Sequence, residues 1–299
     1  MANLKEIRTR IASVMSTQQV TSAMKMVSAA KLRKAQDAII QMRPYAHELQ
    51  KILANLTYNL ESGIENQYIS RKDVKKVLLI AISSNRGLCG GFNSNIIKKV
   101  GELVNETYAD YTQNKALDII TIGRKVSEGL RSRNIKVNCS YDDIYEGLTF
   151  NKVSEVAQSV MDAYTDGTYD KVEIIYNQFK NAAAQQLTVE QFLPVEINTE
   201  DIEINGNTGK KIKPDYIFEP SVKEIVETVI PRSLKIQFFK AMLESVAAEH
   251  GARMTAMHIA TDNASELLNQ LRLTYNKARQ AAITNEILEI VNGANALSS

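Results

Sequence analysis

The feature that most constrains the fold is a seam of mainly apolar side chains that repeats every three or four residues through the first 60 positions. It starts at Leu4 and Ile7 and is still present at Leu56 and Leu60. A repeat of this period, kept over so many turns, is typical of a helix that pairs with another helix in a coiled coil. The pattern therefore predicts one long helix over residues 3–60 that needs a partner.

Two positions within this helix weaken the simple pattern. The seam turns polar between Gln18 and Ser28, where an ordinary coiled coil would lose stability. Pro44 removes one backbone hydrogen bond, so we expect the helix to bend or loosen there.

The helical period returns at Ser221 and continues almost to the end of the chain. Pro231 is expected near the start of this helix, and no proline follows it. From Ser233 to Ala296 such a helix would extend ~96 Å, more than a domain of this size needs. Two long helices separated by an inserted domain can lie side by side only if they run antiparallel. The terminal segments therefore predict a long antiparallel coiled coil.

The middle of the chain has a different period, with short apolar runs alternating with helical stretches. This alternation predicts a mostly parallel sheet with helices on its faces, a Rossmann-like α/β insert. The predicted strands are Val77–Ile82, Leu117–Ile122, Ile135–Val137, Val172–Tyr176 and Gln186–Phe192, and the predicted helices are Ser94–Tyr108, Lys125–Arg133 and Asn151–Tyr164. The polar segment Asn198–Lys213 is expected to be an exposed loop or hairpin.

These elements predict an α/β fold class with three segments. Residues 1–65 form an N-terminal coiled-coil helix, 70–220 an α/β domain and 221–299 a C-terminal coiled-coil helix. The composition is that of an ordinary soluble protein, with 44% hydrophobic and 23% charged residues, which argues against disorder. A net charge of +2 makes no case for nucleic acid as a partner.

The sequence offers no disulfide framework and no metal motif. Cys89 and Cys139 stand apart without a second pair and are predicted to be reduced thiols. His47, His250 and His258 lack the spacing of a zinc site and are expected to be surface or packing residues. No apolar stretch reaches the ~20 residues that span a bilayer, and the N-terminus lacks the apolar core of a secretory signal. These features predict a cytoplasmic protein.

Three segments resemble the gamma subunit family of F-type ATP synthases, in the order that the family has them. They are Ile11–Lys34, Ser83–Asn93 and Glu249–Leu297. The last segment fits the family's terminal signature at Ile283, Thr284, Glu286, Glu289, Gly293, Ala294 and Ala296. The chain departs from the family pattern at Asn85, at the His258-Ile259 pair and at Gly251, where a helical glycine should cost ~1 kcal/mol.

The resemblance implies a central rotor shaft without a catalytic site or a cofactor. The coiled coil would fill the cavity of a ring of three alpha and three beta subunits. The α/β domain would bind the epsilon subunit and stand on the ring of membrane-embedded c subunits, which proton or sodium flow turns. ATP would be made or hydrolysed in the beta subunits. The expected location is the cytoplasmic face of a bacterial inner membrane, peripheral and without direct insertion, since the N-terminus carries no organellar leader.

The resemblance also implies which residues contact the ring. Arg279 and Gln280 would form a catch with loops of the beta subunit, supported by Thr284 and Glu286. Met24 and Lys25 would be shaft contacts. The polar middle of the seam is hypothesised to face the ring rather than a matched helix.

Two further features of the shaft follow from the resemblance. The methionines Met24, Met26, Met254 and Met257 are expected to pack the seam or its surrounding sleeve. The N-terminal 36 residues carry a charge of +6, which favours contact with acidic loops of the ring, with a solvated helical face as the alternative.

The loop Ser83–Asn93 follows a strand and opens a helix, which is the right context for binding a phosphate. It contains neither Gly-Lys-Ser/Thr nor G-x-G-x-x-G. We therefore expect Gly87, Gly90 and Gly91 to permit a tight turn and Arg86 to make an intersubunit contact. A structural coiled-coil tether with a degenerate α/β domain, and a nucleotide-dependent α/β enzyme, remain as alternatives.

Overall fold

The computed structural model describes residues 4–59, 67–68, 74–182, 184–195 and 222–298, and in chain order a long helix precedes and another follows a five-stranded α/β segment. The helices are α1 (Leu4–Asn59), α2 (Phe92–Glu102), α3 (Ala109–Gln113), α4 (Arg124–Arg131), α5 (Phe150–Thr165) and α6 (Val222–Ser298). The strands are β1 (Val77–Ile82), β2 (Leu117–Ile122), β3 (Cys139–Tyr141), β4 (Lys171–Phe179) and β5 (Gln185–Leu193). The predicted fold class is confirmed.

The chain divides into two compact units, each with residues from both long helices. One unit comprises Met1–Ala29 with Arg253–Ser299, and the other comprises Ala30–Ala252. The division predicted from the sequence, at 1–65, 70–220 and 221–299, stays a prediction. The segment Asn198–Lys213, predicted to be an exposed loop, lies outside the described residues.

The sheet has the strand order β3-β2-β1-β4-β5. Strand β1 pairs in parallel with β2 and β4, β2 pairs in parallel with β3, and β5 returns antiparallel to β4. All six side chains of β1 are buried, because helices cover both faces of this central strand. The short apolar run read from the sequence is thus a strand at the centre of a mostly parallel sheet.

Alternate side chains of β1 enter two separate cores. Leu78, Ile80 and Ile82 pack with residues of α5 and of the first half of α6. Val77, Leu79 and Ala81 pack on the other face with α2, α4 and Ala248 of α6. Burial of these two apolar layers, at roughly 25 cal/mol per Å², supplies the main stabilisation of the larger unit.

Two boundaries predicted from the sequence are wrong. The strand predicted at Ile135–Val137 lies instead at Cys139–Tyr141, because the Ile135 backbone N–H donates to the Leu130 carbonyl at 3.0 Å and closes α4. Pro231 does not lie near a helix start, since α6 begins at Val222 and continues through it. The hydrogen bond lost at Pro231 is offset by burial of its neighbours Ile230 and Leu234 in the core.

Helix α1 likewise continues through Pro44, so the expected loosening does not end it. The predicted helix Ser94–Tyr108 is helical but irregular, with a π-helical turn at Leu103–Thr107 closed by the Tyr108 N–H on the Leu103 carbonyl. The wider turn brings the Tyr108 hydroxyl to the Glu173 carboxylate at 2.8 Å.

The glycine at position 251 has a steric reason. A Cβ built there would lie 3.2 Å from the Ala182 carbonyl oxygen, in the turn between β4 and β5. A turn backbone that approaches a helix this closely favours glycine, and the contact offsets the lower helix propensity of Gly251.

Helices α1 and α6 run antiparallel in the smaller unit. The Gln18 side chain donates to Ser265 at 2.7 Å, the Thr261 hydroxyl donates to Thr21 at 2.8 Å, and the Lys25 ammonium lies 3.2 Å from the His258 ring. Residue numbers rise on one helix as they fall on the other. The predicted antiparallel pairing is therefore confirmed.

This register makes a testable prediction about the end of the coil. It places Ile7, only 6% exposed, opposite residues 275–276. We expect Ile7→Cys and Tyr275→Cys to form a disulfide in the full chain under mild oxidation, because facing seam positions bring Cα atoms within the ~7 Å a disulfide allows. Ile7→Cys with Leu288→Cys is the control, about 20 Å away along the helix at 1.5 Å per residue. Cross-linking of the control pair alone would contradict the register.

Candidate functional site

The coiled-coil seam follows the period predicted from the sequence. Every seam position of α1 from Leu4 to Leu49 is buried or half-buried. Its most buried members are Ile7, Thr21, Ser28, Leu32, Ala35, Ile39 and Leu49. The seam therefore faces other parts of the chain along its described length.

The polar middle of the seam is matched to α6 at several positions. Gln18 and Thr21 make direct hydrogen bonds to Ser265 and Thr261, and Lys25 contacts His258. The hypothesis that these polar side chains face a ring rather than a matched helix is wrong for Gln18 and Thr21, whereas a ring contact of the half-buried Lys25 stays a prediction. Hydrogen bonds across the seam satisfy groups that an apolar seam would leave unpaired.

The end of α6 is different, because its described side chains from Arg279 to Asn295 are all exposed. The register places Arg279 opposite Leu4, the first described residue of α1. The turns of α6 that follow Arg279 therefore have no described residue of α1 opposite them. Five large apolar side chains lie in this stretch, 47–66% exposed: Ile283, Ile287, Leu288, Ile290 and Val291. An exposed apolar helix of this length marks an interaction surface.

The four residues assigned to the catch all lie within this exposed end. Arg279, Gln280, Thr284 and Glu286 are exposed, and they fall within two turns of one helix. The Thr284 hydroxyl donates to the Gln280 carbonyl at 2.9 Å, which leaves its oxygen free to accept a further bond. The Arg279 guanidinium and the Glu286 carboxylate present opposite charges on the same surface.

The predicted shaft contacts lie farther along the coil. Met24 and Lys25 are half-buried. Among the other methionines, Met257 is buried and Met254 is half-buried, in agreement with seam packing. Met26 is 66% exposed, so it does not pack the seam, and its packing against a surrounding sleeve stays a prediction.

The loop after β1 is held from beneath by a buried hydrogen-bond network. The Asn93 carboxamide accepts from the Ser84 backbone N–H at 3.1 Å and donates to the Ser84 hydroxyl at 2.8 Å. The same amide group donates to the Cys89 sulfur at 3.2 Å, and the Ser84 hydroxyl donates to the Arg86 carbonyl at 2.6 Å. Cys89 is 2% exposed, so its sulfur lies within this network rather than at the surface.

This network turns the loop outward at its tip. Gly90 has a φ of +58°, which glycine adopts without strain. Leu88 also has a positive φ, of 63°, which is uncommon for a residue with a side chain, and that side chain is 64% exposed. Gly91 precedes α2, and a Cβ at Gly87 would meet nothing within 4 Å. A positive φ is therefore required at Gly90 but not at Gly87, and Arg86 is exposed at the base of the tip.

Comparison with known proteins identifies the family. A family model described as ATP synthase matches residues 3–297. The ATP synthase gamma chain of Flavobacterium johnsoniae is 57% identical over 298 residues, 100% of each chain, and that of Cytophaga hutchinsonii is 50% identical over 299 residues, again 100% of each. The chain belongs to the ATP synthase gamma chain family. The resemblance drawn from the three sequence segments is thereby confirmed.

Solved structures of the same family agree with the fold. A chain of the Tetrahymena thermophila mitochondrial ATP synthase central stalk and c-ring matches with a TM-score of 0.58 and 26% identity, over 81% of this chain and 99% of that one. A chain of the Euglena gracilis mitochondrial enzyme matches with a TM-score of 0.69 and 22% identity, over 98% and 94%. As a gamma chain, the protein is the central rotor stalk of an F-type ATP synthase.

Other site classes find no support among the described residues of this gamma chain. No group of three or more potential metal ligands occurs in the part of the chain that the structure describes. No described helix is long and apolar enough to cross a membrane. His258, expected only as a surface or packing residue, contacts Lys25 across the coil and Asp262 on its own helix.

Sequence reasoning missed a buried carboxyl on α6. The Glu244 side chain is 4% exposed, and its Oε2 atom has no hydrogen-bond partner among the described residues. Burial raises the pKa of this carboxyl, and Glu190 acts in the same direction, while Lys240 and Arg43 oppose the rise. The sequence did indicate this burial, because Glu244 lies three residues after Ala241 and four before Ala248. This spacing puts all three residues on the core-facing side of the helix.

Glu244→Gln is expected to stabilise the protein at neutral and higher pH. A raised folded-state pKa means that wild-type stability is lost as pH rises through that pKa, whereas glutamine stays neutral. The gain should be absent below the ordinary carboxyl pKa of 4.5 and grow as pH rises above it, because glutamine avoids only the cost of burying the charge. Denaturant unfolding over that range tests this, with exposed Glu266→Gln as the control. A gain that is independent of pH would contradict it.

Proposed function

We propose that this chain is the rotating shaft that couples an ion-driven ring of membrane-embedded c subunits to ATP synthesis and hydrolysis in the beta subunits. In this role the chain carries no catalytic site and binds no cofactor. Its partners are the alpha and beta subunits, the epsilon subunit and the c ring, with protons or sodium ions as the coupling ions. It works at the cytoplasmic face of the bacterial plasma membrane as a peripheral subunit.

The exposed end of α6 is the observation that carries this proposal. A helix with five exposed apolar side chains in its last described turns is costly in water unless another protein surrounds it. The apolar residues at 283, 287, 290 and 291 fall on one face of the helix, and Leu288 widens that face to roughly 160° of the circumference. No described residue of α1 lies opposite this face, so the face suits burial against another protein.

Arg279, Gln280, Thr284 and Glu286 would form the catch between this shaft and loops of the beta subunit. Arginine suits a catch because its planar fork pairs bidentately with a carboxylate and stays charged at any working pH. Each charge-assisted bond contributes ~1.5–3 kcal/mol, enough to favour one beta subunit and small enough to break as the shaft turns. Met24 and Lys25 would contact the ring farther down the coil.

The loop Ser83–Asn93 supports a non-catalytic role. Its buried donors are used internally, since the Ser84 N–H donates to Asn93 and the Ser84 hydroxyl to the Arg86 carbonyl. The loop contains no lysine to reach a phosphate. In the proposed function its exposed tip, with Arg86 and the glycines Gly87, Gly90 and Gly91, contacts a neighbouring subunit.

Co-purification tests the proposed function directly. The tagged chain, expressed with the alpha and beta subunits of its own organism, should purify with Mg-ATPase activity, whereas the chain alone should give no saturable heat with Mg-ATP in calorimetry. A tether would purify without ATPase activity. Micromolar binding of Mg-ATP to the chain alone would contradict the non-catalytic role but leave the stalk assignment intact.

A further inference from the structure

One ring nitrogen of His258 has two competing partners. Its Nδ1 lies 3.2 Å from the Lys25 ammonium, which reaches across from α1. The same Nδ1 lies 3.4 Å from the Asp262 carboxylate, one turn along α6. All three side chains belong to the compact unit built from Met1–Ala29 and Arg253–Ser299.

These two contacts exclude each other chemically. An ammonium group can only donate, so it requires a bare Nδ1 with its lone pair available. An ionised carboxylate can only accept, so it requires an Nδ1 that carries a proton. One nitrogen cannot meet both requirements at once, so the presence or absence of a proton on Nδ1 must select the partner.

We propose that His258 is a positioning residue that holds Lys25 against α6 only while its Nδ1 is unprotonated. When the ring takes up a proton, Nδ1 donates to Asp262, and the imidazolium and the Lys25 ammonium become adjacent like charges. The Lys25 side chain is then released from α6. This inference does not depend on the ring contact proposed for Lys25.

Few other charged side chains among the described contacts can influence which partner the His258 ring selects. Among the described contacts, the charged side chains that face His258 are Lys25 from α1 and Asp262 from α6 itself. Lys25 is therefore held against α6 while Nδ1 is bare and released once Nδ1 carries a proton, which changes the charge that the coil presents at this turn.

Tautomer measurement on the full chain tests the inference. The ring nitrogens of a ¹⁵N-histidine-labelled chain distinguish a bare from a protonated Nδ1, and His258→Gln identifies the signal among the three histidines. At about pH 8, wild type should carry its proton on Nε2. Lys25→Met should raise the ratio of the Nδ1–H to the Nε2–H tautomer by about two- to fivefold, the range that exposed pairs give. Lys5→Met, an exposed lysine of the same helix, is the control and should change nothing.

A pH profile separates positioning from a merely structural role. The Lys25 Cε resonance should change with pH in step with the His258 ring in wild type. In His258→Gln, which keeps an acceptor but cannot titrate, the change should disappear while the chain stays folded. An Nδ1–H tautomer in wild type at about pH 8, or a Lys25 profile unchanged in His258→Gln, would overturn the inference.

Discussion

Arg279→Ala is expected to lower ATP turnover of the assembled complex by about tenfold or more, without unfolding the chain. The guanidinium is exposed, so its loss removes nothing from the chain's own packing. A lost charge-assisted bond of ~1.5–3 kcal/mol corresponds to at least about a tenfold change in rate or equilibrium. Gln280→Ala removes neutral hydrogen bonds and should have the smaller effect, about two- to tenfold.

Steady-state hydrolysis by reconstituted complexes measures this effect. Arg131→Ala, an exposed arginine in the last turn of α4, is the matched control and should retain full turnover. Arg279→Lys keeps the charge and loses the planar fork, so it should fall between wild type and alanine. Equal turnover in the Arg279→Ala and Arg131→Ala complexes would remove the support for the catch and leave the family assignment untouched.

Phe238→Ala is expected to lower the free energy of unfolding of the larger unit by about 3–5 kcal/mol. The side chain is 0% exposed and packs edge-on against Phe192 of β5, with ring centroids 5.6 Å apart. Its removal leaves a cavity between α6 and the sheet, where close packing on both sides limits relaxation. Denaturant unfolding of the full chain, followed by circular dichroism, measures the loss.

The next residue provides a matched control. Phe239 is half-buried and packs edge-on against Phe150, which is 40% exposed, at 5.5 Å. Phe239→Ala makes the same chemical change on the same helix but opens toward solvent rather than into a core. Phe239→Ala should lower the free energy of unfolding by less than half as much as Phe238→Ala. Equal losses for the two variants would contradict the placement of Phe238 in the buried core and of Phe239 at its edge.

Local patterns predicted much of the secondary structure. The strands at Val77–Ile82 and Leu117–Ile122 match the prediction to the residue, because a buried parallel strand is a short apolar run with sharp ends. The strand predicted at Ile135–Val137 failed because the backbone of Ile135 closes α4 instead. A three-residue strand carries too little pattern to compete with such a contact.

The candidate site, like the secondary structure, was predictable from the sequence only in part. The terminal signature around Arg279 and Gln280 was recognisable in the sequence, and the structure adds that this stretch lies beyond the described reach of α1. The pairing of Lys25 with His258 had no local signal, because the two residues are 233 positions apart. Only the register of the coil brings them together.

The sequence alone determined the two long helices, their antiparallel pairing and the central strands of the sheet, because each depends on a periodicity sustained over many residues. The tertiary structure decided which polar side chains meet across the coil, where the coil gives way to an exposed helix, and that Glu244 is buried. These depend on register and on contacts between distant segments, and a shift of one helical turn would change every such pair while leaving the periodicity intact.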